Sequence, residues 1–153
     1  MSPTSPQPET DGIRIRLIRH SPLALRLRRR VGALAALLDG HSFWATGRSR
    51  AQLKRMLRGS QVVVSAWHGD ELVGFGRATT DGVFRAVLWD VVVAEAQQGR
   101  GLGRRIVEEL LGSPAVAAAE RIYLMTTTGQ GFYERLGFSP VESQRLMLKL
   151  KSG

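Results

Sequence analysis

A glycine-dense loop between a β-rich run and an amphipathic helix constrains the fold of this chain more than any other segment. The residues of run 88–93 are typical of a strand, and the pattern that follows the loop predicts a helix over about 101–111. Because glycine has no Cβ, a ligand can approach the backbone of Gly99, Gly101 and Gly103 closely. The first N–H groups of a helix have no intrahelical partner and lie at the positive end of its dipole. The sequence therefore predicts an anion-binding loop that suits phosphate.

The loop and the rest of the sequence lack the motifs of several other kinds of site. No Gly-Lys-Ser/Thr follows it, which excludes a Walker A motif. Arg104 stands where the dinucleotide-binding fingerprint, counted from Gly99, needs its third glycine. The chain has no G-x-S-x-G elbow of a serine hydrolase. It has no cysteine, and its three histidines and dispersed acids lack ligand spacing, so no metal site is predicted.

The loop and a second segment together resemble a known family. The run Gln98-Gly-Arg-Gly-Leu-Gly103 fits the Q/R-x-x-G-x-G/A pattern of the GCN5-related N-acetyltransferases, the GNAT family. Further along, Gly131-Phe-Tyr-Glu-Arg-Leu-Gly-Phe138 resembles the family's second signature, a tyrosine-bearing helix followed by a sharp return into the last strands. The resemblance covers residues 62–148. Residues 76–93, with their Trp-Asp pair, are similar to the plant and cyanobacterial serotonin N-acetyltransferase group.

This resemblance implies both a fold and a reaction. The fold is α/β (α+β), with a mixed, mostly antiparallel sheet of six or seven strands and helices on both faces. The reaction is direct attack of a neutral primary amine on the thioester of acetyl-CoA, which leaves coenzyme A as a product. The implied acceptor is a small-molecule amine, and the serotonin-like group points to an arylalkylamine such as serotonin or tryptamine. An aromatic acceptor wall could come from Phe43, Trp44 and Trp67.

The resemblance also assigns the cofactor contacts and the acid. The loop would hold the pyrophosphate, the backbone of residues 91–93 would pair with the pantetheine arm, and Tyr133 would protonate the departing sulfur. Thr126 stands where the family often has an asparagine, seven residues before the tyrosine. The implied cofactor-binding residues are Val91, Val92, Val93, Gln98, Gly99, Arg100, Gly101, Leu102, Gly103, Arg104, Thr126 and Phe132.

Asp90 is the first candidate for the general base. On a strand it shares a face with Leu88 and Val92, and such apolar neighbours predict desolvation and a raised pKa, which suit a base. The alternative is a structural aspartate whose oxygens accept hydrogen bonds from loop N–H groups.

The three histidines are the other candidates for the base. His41 is favoured over His20 and His68 because it precedes the aromatic pair Phe43-Trp44, in the region where the family builds its acceptor lid. Proton removal through ordered water would make all three histidines dispensable.

The charge of the chain keeps other functions open. Lys and Arg number 22 against 13 Asp and Glu, a net charge of +9, and twelve of these cations lie between Arg14 and Arg58 with Asp39 as the one acid. Such a field favours anionic partners and disfavours a cationic amine. The alternatives are therefore a basic nucleic-acid- or ribosome-binding module that has kept the fold, and an acetyltransferase of a protein or peptide amine.

The remaining segments predict the domain organisation. Residues 1–12 contain three prolines and read as a disordered leader, and residues 13–151 as one domain. Neither a spanning apolar run nor a signal peptide is present, which favours a cytoplasmic protein without a membrane partner. We predict one helix from Ser21-Pro22 to about Leu38, and a final strand over about 143–149. The apolar run Leu146–Leu150 would permit a homodimer.

Overall fold

The fold is built on one sheet of five strands. A computed structural model describes residues 14–20 and 23–151; the leader predicted for residues 1–12 and the helix start predicted at Ser21-Pro22 lie outside the described residues. The strands follow chain order across the sheet, with antiparallel pairing except between the last two, which are parallel. They are β1 (Ile15–Arg19), β2 (Val62–His68), β3 (Glu71–Thr80), β4 (Arg85–Val93) and β5 (Arg121–Tyr123).

Six α-helices join and cover this sheet in the described part of the chain. The helix with the closest packing is α4, which contacts β2, β3 and β4 through the buried face of Leu102, Ile106, Val107 and Leu110. The helices are α1 (Leu25–Arg29), α2 (Val31–His41), α3 (Arg50–Arg58), α4 (Leu102–Gly112), α5 (Pro114–Ala117) and α6 (Gln130–Glu134). The predicted α/β class is confirmed.

Three details differ from the sequence prediction. The described residues form five strands rather than six or seven, because the strand predicted over 143–149 does not form and its residues are exposed. Residues 146–148 of this segment are all apolar, so the segment lacks the apolar–polar alternation that would bury one face of a strand. The helix predicted to reach Leu38 is interrupted at Arg30, whose guanidinium turns away to stack on Trp67 and to donate a hydrogen bond to the Asp70 carbonyl.

Glycine in β3 lets α4 lie directly on the sheet. A Cβ on Gly76 would stand 2.9 Å from Ile106 Cγ2 and 3.1 Å from Leu110 Cδ1. Both of these side chains are fully buried, so neither can swing into solvent to make room. The close contact sets the distance of α4 from β3, and therefore the position of the loop that enters α4.

We expect Gly76→Ala to destabilise the protein by about 1–3 kcal/mol, since the added methyl overpacks this contact. Urea unfolding followed by circular dichroism measures the change. Gly112→Ala is the matched control, because in the described part of the chain nothing lies within 4 Å of a Cβ there. Equal stability of the two variants would contradict the packing argument.

Candidate active site

The site lies where β4 and β5 separate. Their parallel pairing ends at the pair Val87–Tyr123. Beyond this pair, the backbone that follows each strand position runs along a cavity of about 970 Å³. The β4-side lining comes from Leu88–Val91 and Val93, and the other side from the loop Leu124–Gly129 and from α6. Because no strand pairs with the β5-facing edge of residues 88–93 in the described part of the chain, that backbone edge is available to an extended ligand.

The glycine loop forms one end of this cavity. Gly99 has φ +78° and Gly101 φ +79°, and none of the residues that the structure describes comes within 4 Å of a Cβ built on either glycine. Gly101 is the N-cap of α4, which has neither a capping side chain nor an acidic residue in its first turn. Among the described residues, no side chain therefore accepts from the first N–H groups of α4, as an anion cradle requires.

Two side chains of the loop are already engaged. The Gln98 amide donates to the Val93 carbonyl at 3.1 Å, which ties the start of the loop to the end of β4. Arg104 Nε donates to Glu108 Oε1 at 2.8 Å on the exposed face of α4. Arg104 therefore adds less free positive charge to the cradle than its position alone implies.

The aromatic residues of α6 line the cavity beside the start of α4. Phe132 lies against Gly103, where a Cβ would stand 3.4 Å from Phe132 Cζ. Tyr133 packs edge-on between Phe132 and Phe138, with ring centroids 4.9 and 5.8 Å away. Thr126 Oγ1 accepts the Gly129 N–H at 2.9 Å and so shapes the turn into α6.

The phenol of Tyr133 lines the cavity in its protonated form. Burial raises the pKa of Tyr133 above its ordinary value, because a phenolate would lose solvation there. The hydroxyl therefore stays a proton donor throughout the neutral range.

Asp90 occupies a bulge in β4. Phe75 pairs with Val92 and Arg77 with Trp89, so two β4 residues oppose one β3 residue between these pairs. Asp90 has φ +52°, in the left-handed region that aspartate tolerates better than most residues. The bulge breaks the strand alternation from which the sequence placed Asp90 on one face with Leu88 and Val92.

Three side chains donate four hydrogen bonds to the Asp90 carboxylate. Oδ1 accepts from Trp44 Nε1 at 2.9 Å and from one Arg48 nitrogen at 3.3 Å. Oδ2 accepts from the other terminal Arg48 nitrogen at 3.0 Å and from Arg77 Nε at 2.9 Å. The side chain of Asp90 is only 5% exposed.

The predicted rise in the pKa of Asp90 is wrong. Burial acts to raise this pKa, but the hydrogen bonds and positive charges of Arg48 and Arg77 outweigh it and hold the pKa below its usual value. The apolar neighbours of Asp90 are adjacent in sequence, whereas the two arginines lie 42 and 13 residues away along the chain and could not be predicted from strand alternation.

The histidines do not lie in the main cavity. His20 Nε2 bonds to the buried Ser65 Oγ at 2.6 Å, next to β2. His41 Nδ1 accepts the Glu95 N–H at 3.2 Å and lines a smaller neighbouring pocket. His68 ends β2. A histidine base therefore lacks support from the cavity geometry.

The structure brings most of the sequence-predicted residues together. Among the predicted site residues, Val92 and Arg100 do not line the cavity; the side chain of Val92 is in the core. Trp67, suggested for the acceptor wall, is also buried in the core, where its indole donates to Ser65. Sequence reasoning missed lining residues whose position depends on long-range packing, among them Trp89, Leu124, Met125, Arg135 and Leu136.

Comparison with known families decides the classification. The family model described as "Acetyltransferase (GNAT) family" matches residues 32–138, which is well over half of the chain. The chain belongs to the GNAT family. Acetyltransferases of this family use acetyl-CoA as the acetyl donor, and the predicted resemblance is confirmed.

Curated relatives place the GNAT chain near a plant and algal group. It is 40% identical over 100 residues to serotonin N-acetyltransferase 2, chloroplastic, of Oryza sativa subsp. japonica, covering 60% of this chain and 48% of that protein. It is 35% identical over 92 residues to the uncharacterized N-acetyltransferase ycf52 of Pyropia yezoensis, covering 57% of this chain and 53% of that protein. The chain thus spans about half the length of these relatives.

Solved structures agree on the fold. A GNAT-family acetyltransferase from Streptococcus pneumoniae TIGR4 superposes with a TM-score of 0.73 at 23% identity, covering 92% of this chain and 100% of that one. Glucosamine-6-phosphate N-acetyltransferase from Arabidopsis thaliana superposes with a TM-score of 0.66 at 17% identity, covering 88% and 98%. At such identities the likeness supports the GNAT fold.

The residues present fit acetyl-CoA. The open backbone at Gly99 and Gly101, followed by the uncapped start of α4, suits a diphosphate. The unpaired edge of β4 beyond Val87 suits an amide-containing arm, and Tyr133 lies on the same cavity.

Proposed function

We propose that this GNAT chain is an acetyl-CoA-dependent N-acetyltransferase that acts on a primary amine. The observation that carries the proposal is that the anion cradle, the unpaired β4 edge and Tyr133 all line one cavity. An enzyme of this class needs these three features together: a place for the diphosphate, a track for the arm, and a proton donor near the end of the track.

The proposed roles follow from the position of each group. Acetyl-CoA, when bound, supplies the acetyl thioester. The N–H groups at the start of α4 hold phosphate oxygens, and a backbone N–H of residues 91–93 polarises the acetyl carbonyl. Tyr133 donates its proton to the sulfur as the C–S bond breaks, and the proton that the attacking amine loses to water restores the phenol.

For the acceptor we propose an arylalkylamine of the serotonin or tryptamine class. Phe43, Trp44 and Trp89 line the cavity at Asp90. Phe43 is 71% exposed and packs edge-on against Trp44 with ring centroids 5.0 Å apart, which leaves one face of the pair free for an aromatic ligand. The name of the rice relative, serotonin N-acetyltransferase, supports the same class.

We expect Phe43→Ala to raise the KM for tryptamine about 3- to 10-fold and to leave the KM for acetyl-CoA unchanged, since one aromatic contact is removed. Steady-state kinetics with a thiol-release assay measure both constants. Phe84→Ala is the matched control, because Phe84 is also exposed, at 58%, but lies at the β3–β4 turn outside the cavity. An unchanged KM for tryptamine in Phe43→Ala, or equal turnover of aliphatic and aromatic amines, would contradict the proposed acceptor.

An enzyme is favoured over a nucleic-acid-binding module because some arginines of the basic cluster contact other residues of the protein. Arg48 is committed to Asp90, and Arg30 is committed to Trp67 and to the Asp70 carbonyl. These two of the twelve cations are therefore less available to phosphate than their positions in the sequence imply.

A homodimer and a cytoplasmic location also stay predictions. A homodimer through Leu146–Leu150 is supported by the exposure of the apolar side chains in this segment, from 76 to 89%. The cytoplasmic location is an inference from sequence. In the described residues, no helix has the length and apolar character needed to cross a bilayer.

A further inference from the structure

We propose that Asp90 is a positioning residue, which clamps the loop 42–48 onto β4 and so fixes the aromatic wall of the acceptor site, and that it does not take the proton from the amine. The inference rests on the proposed function, because it assigns a part in that reaction. It concerns the loop between α2 and α3, which carries Phe43, Trp44 and Arg48.

The hydrogen-bonding capacity of the carboxylate is fully used. Each ionised oxygen has about two acceptor positions. Oδ1 receives Trp44 and Arg48, and Oδ2 receives Arg48 and Arg77, so every position has a donor. A general base needs a lone pair directed at the proton it removes, and Asp90 has none to spare.

The electrostatic balance points the same way. Arg48 and Arg77 carry two positive charges against the one negative charge of Asp90, so this cluster has a net charge of +1. Both arginines disfavour proton uptake by the carboxylate between them. A cationic amine gains no net attraction from the cluster, so the acceptor reaches it through aromatic contact and as the neutral amine.

The clamp acts on the loop through its two contacts. The single N–H donor of Trp44 is spent on Asp90, which fixes the indole plane although the residue is 48% exposed. Arg48 reaches Asp90 from the other end of the loop and also contacts Met56 Sδ of α3 at 3.4 Å. Phe43 has the indole as its aromatic neighbour, so its position depends on that of Trp44.

The sheet side of the clamp is rigid. Arg77 is held on β3, with its guanidinium over the Trp89 ring and one terminal nitrogen 3.4 Å from Ser60 Oγ. The left-handed backbone of Asp90 in the bulge directs its carboxylate between this arginine and the loop. The Asp90 carboxylate thus joins the β4 bulge, Arg77 and the loop 42–48.

Asp90→Asn tests the inference. Asparagine has the shape of aspartate, but its amide nitrogen replaces one carboxylate oxygen and is itself a donor. The two hydrogen bonds that this oxygen accepts in the wild type are therefore lost. We expect the KM for tryptamine to rise about 10-fold, kcat to fall no more than about threefold, and the KM for acetyl-CoA to stay constant. The acidic limb of the pH profile of kcat/KM should keep its position. A kcat loss of about 100-fold or more, or a displaced acidic limb, would show a base and overturn the inference.

A second variant and a second readout keep the test independent of catalysis. Trp44→Phe removes the indole N–H but retains the ring and both arginine pairs, and it should raise the KM for tryptamine less than Asp90→Asn does. If Asp90 acts through Trp44, the double variant should cost less than the product of the two single effects.

Hydrogen exchange reports the clamp directly. In Asp90→Asn, amides of residues 42–48 should exchange at least about fivefold faster than in the wild type, whereas those of β2 keep their protection. Should the wild type acetylate no amine, the proposed function fails but this measurement still decides whether the clamp exists. Unchanged exchange in the loop would overturn the inference even in an active enzyme.

Discussion

The Gly101→Glu variant should bind acetyl-CoA at least about 100-fold more weakly than the wild type. No described residue lies within 4 Å of a Cβ at this position, so the new side chain does not collide with the described part of the fold. It occupies the space at the start of α4 instead and places a negative charge where the diphosphate would lie. At an effective dielectric constant of about 20, two charges about 4 Å apart repel by about 4 kcal/mol, which corresponds to roughly 10³-fold in affinity.

Backbone strain must be separated from charge in this experiment. Gly101 has φ +79°, and any side chain there is strained by about 1–2 kcal/mol. Gly82, in the β3–β4 turn, has φ +77° and the same open space but lies outside the cavity. Gly82→Glu should therefore lose comparable stability and keep full acetyl-CoA affinity.

Isothermal titration calorimetry of the wild type and both variants gives the answer. Adding Gly101→Ala isolates the charge, because alanine has the strain without the carboxylate and should retain most of the binding. Equal affinity of Gly101→Glu and the wild type would remove the anion cradle from the site, and with it the basis of the proposed reaction.

The parts of the site that could be predicted are those set by neighbouring residues. Gly99, Gly101 and the first residue of α4 lie within four consecutive residues, so the loop can be predicted from the sequence alone. The same holds for α3, where Ser49 Oγ accepts the Gln52 N–H at 3.1 Å and the Gln52 side chain accepts the Ser49 N–H at 2.8 Å, as the capping-box spacing predicts.

The parts that could not be predicted depend on contacts between distant residues. Asp90 is surrounded by apolar residues in sequence and by two arginines in space, and a one-residue bulge decides which of these environments it meets. Strand alternation assumes regular pleating, so it fails at such a bulge. Trp67 is likewise indistinguishable in sequence from a cavity aromatic, but its strand is covered on both faces.

Tyr133→Phe should lower kcat about 10²- to 10³-fold, within the range that a single acid catalyst contributes. The substitution removes the hydroxyl alone, since the edge-on contacts with Phe132 and Phe138 involve the ring. The KM for acetyl-CoA should stay within about twofold, because the phenol acts on the departing sulfur rather than on binding. Tyr123→Phe, which changes the other tyrosine of the chain, on β5, is the matched control and should keep its kcat.

The pH profile distinguishes an acid from a packing residue. A tyrosine that donates a proton is active while protonated, so activity is full below its pKa and falls as the pH rises through it. Because burial raises the pKa of Tyr133, the basic limb of the wild-type profile should lie above pH ~10, the ordinary value for a phenol. Tyr133→Phe should lack this limb and stay flat on the alkaline side. A limb that persists in the variant would assign it to another group, and a kcat within about threefold of the wild type would leave proton delivery to water.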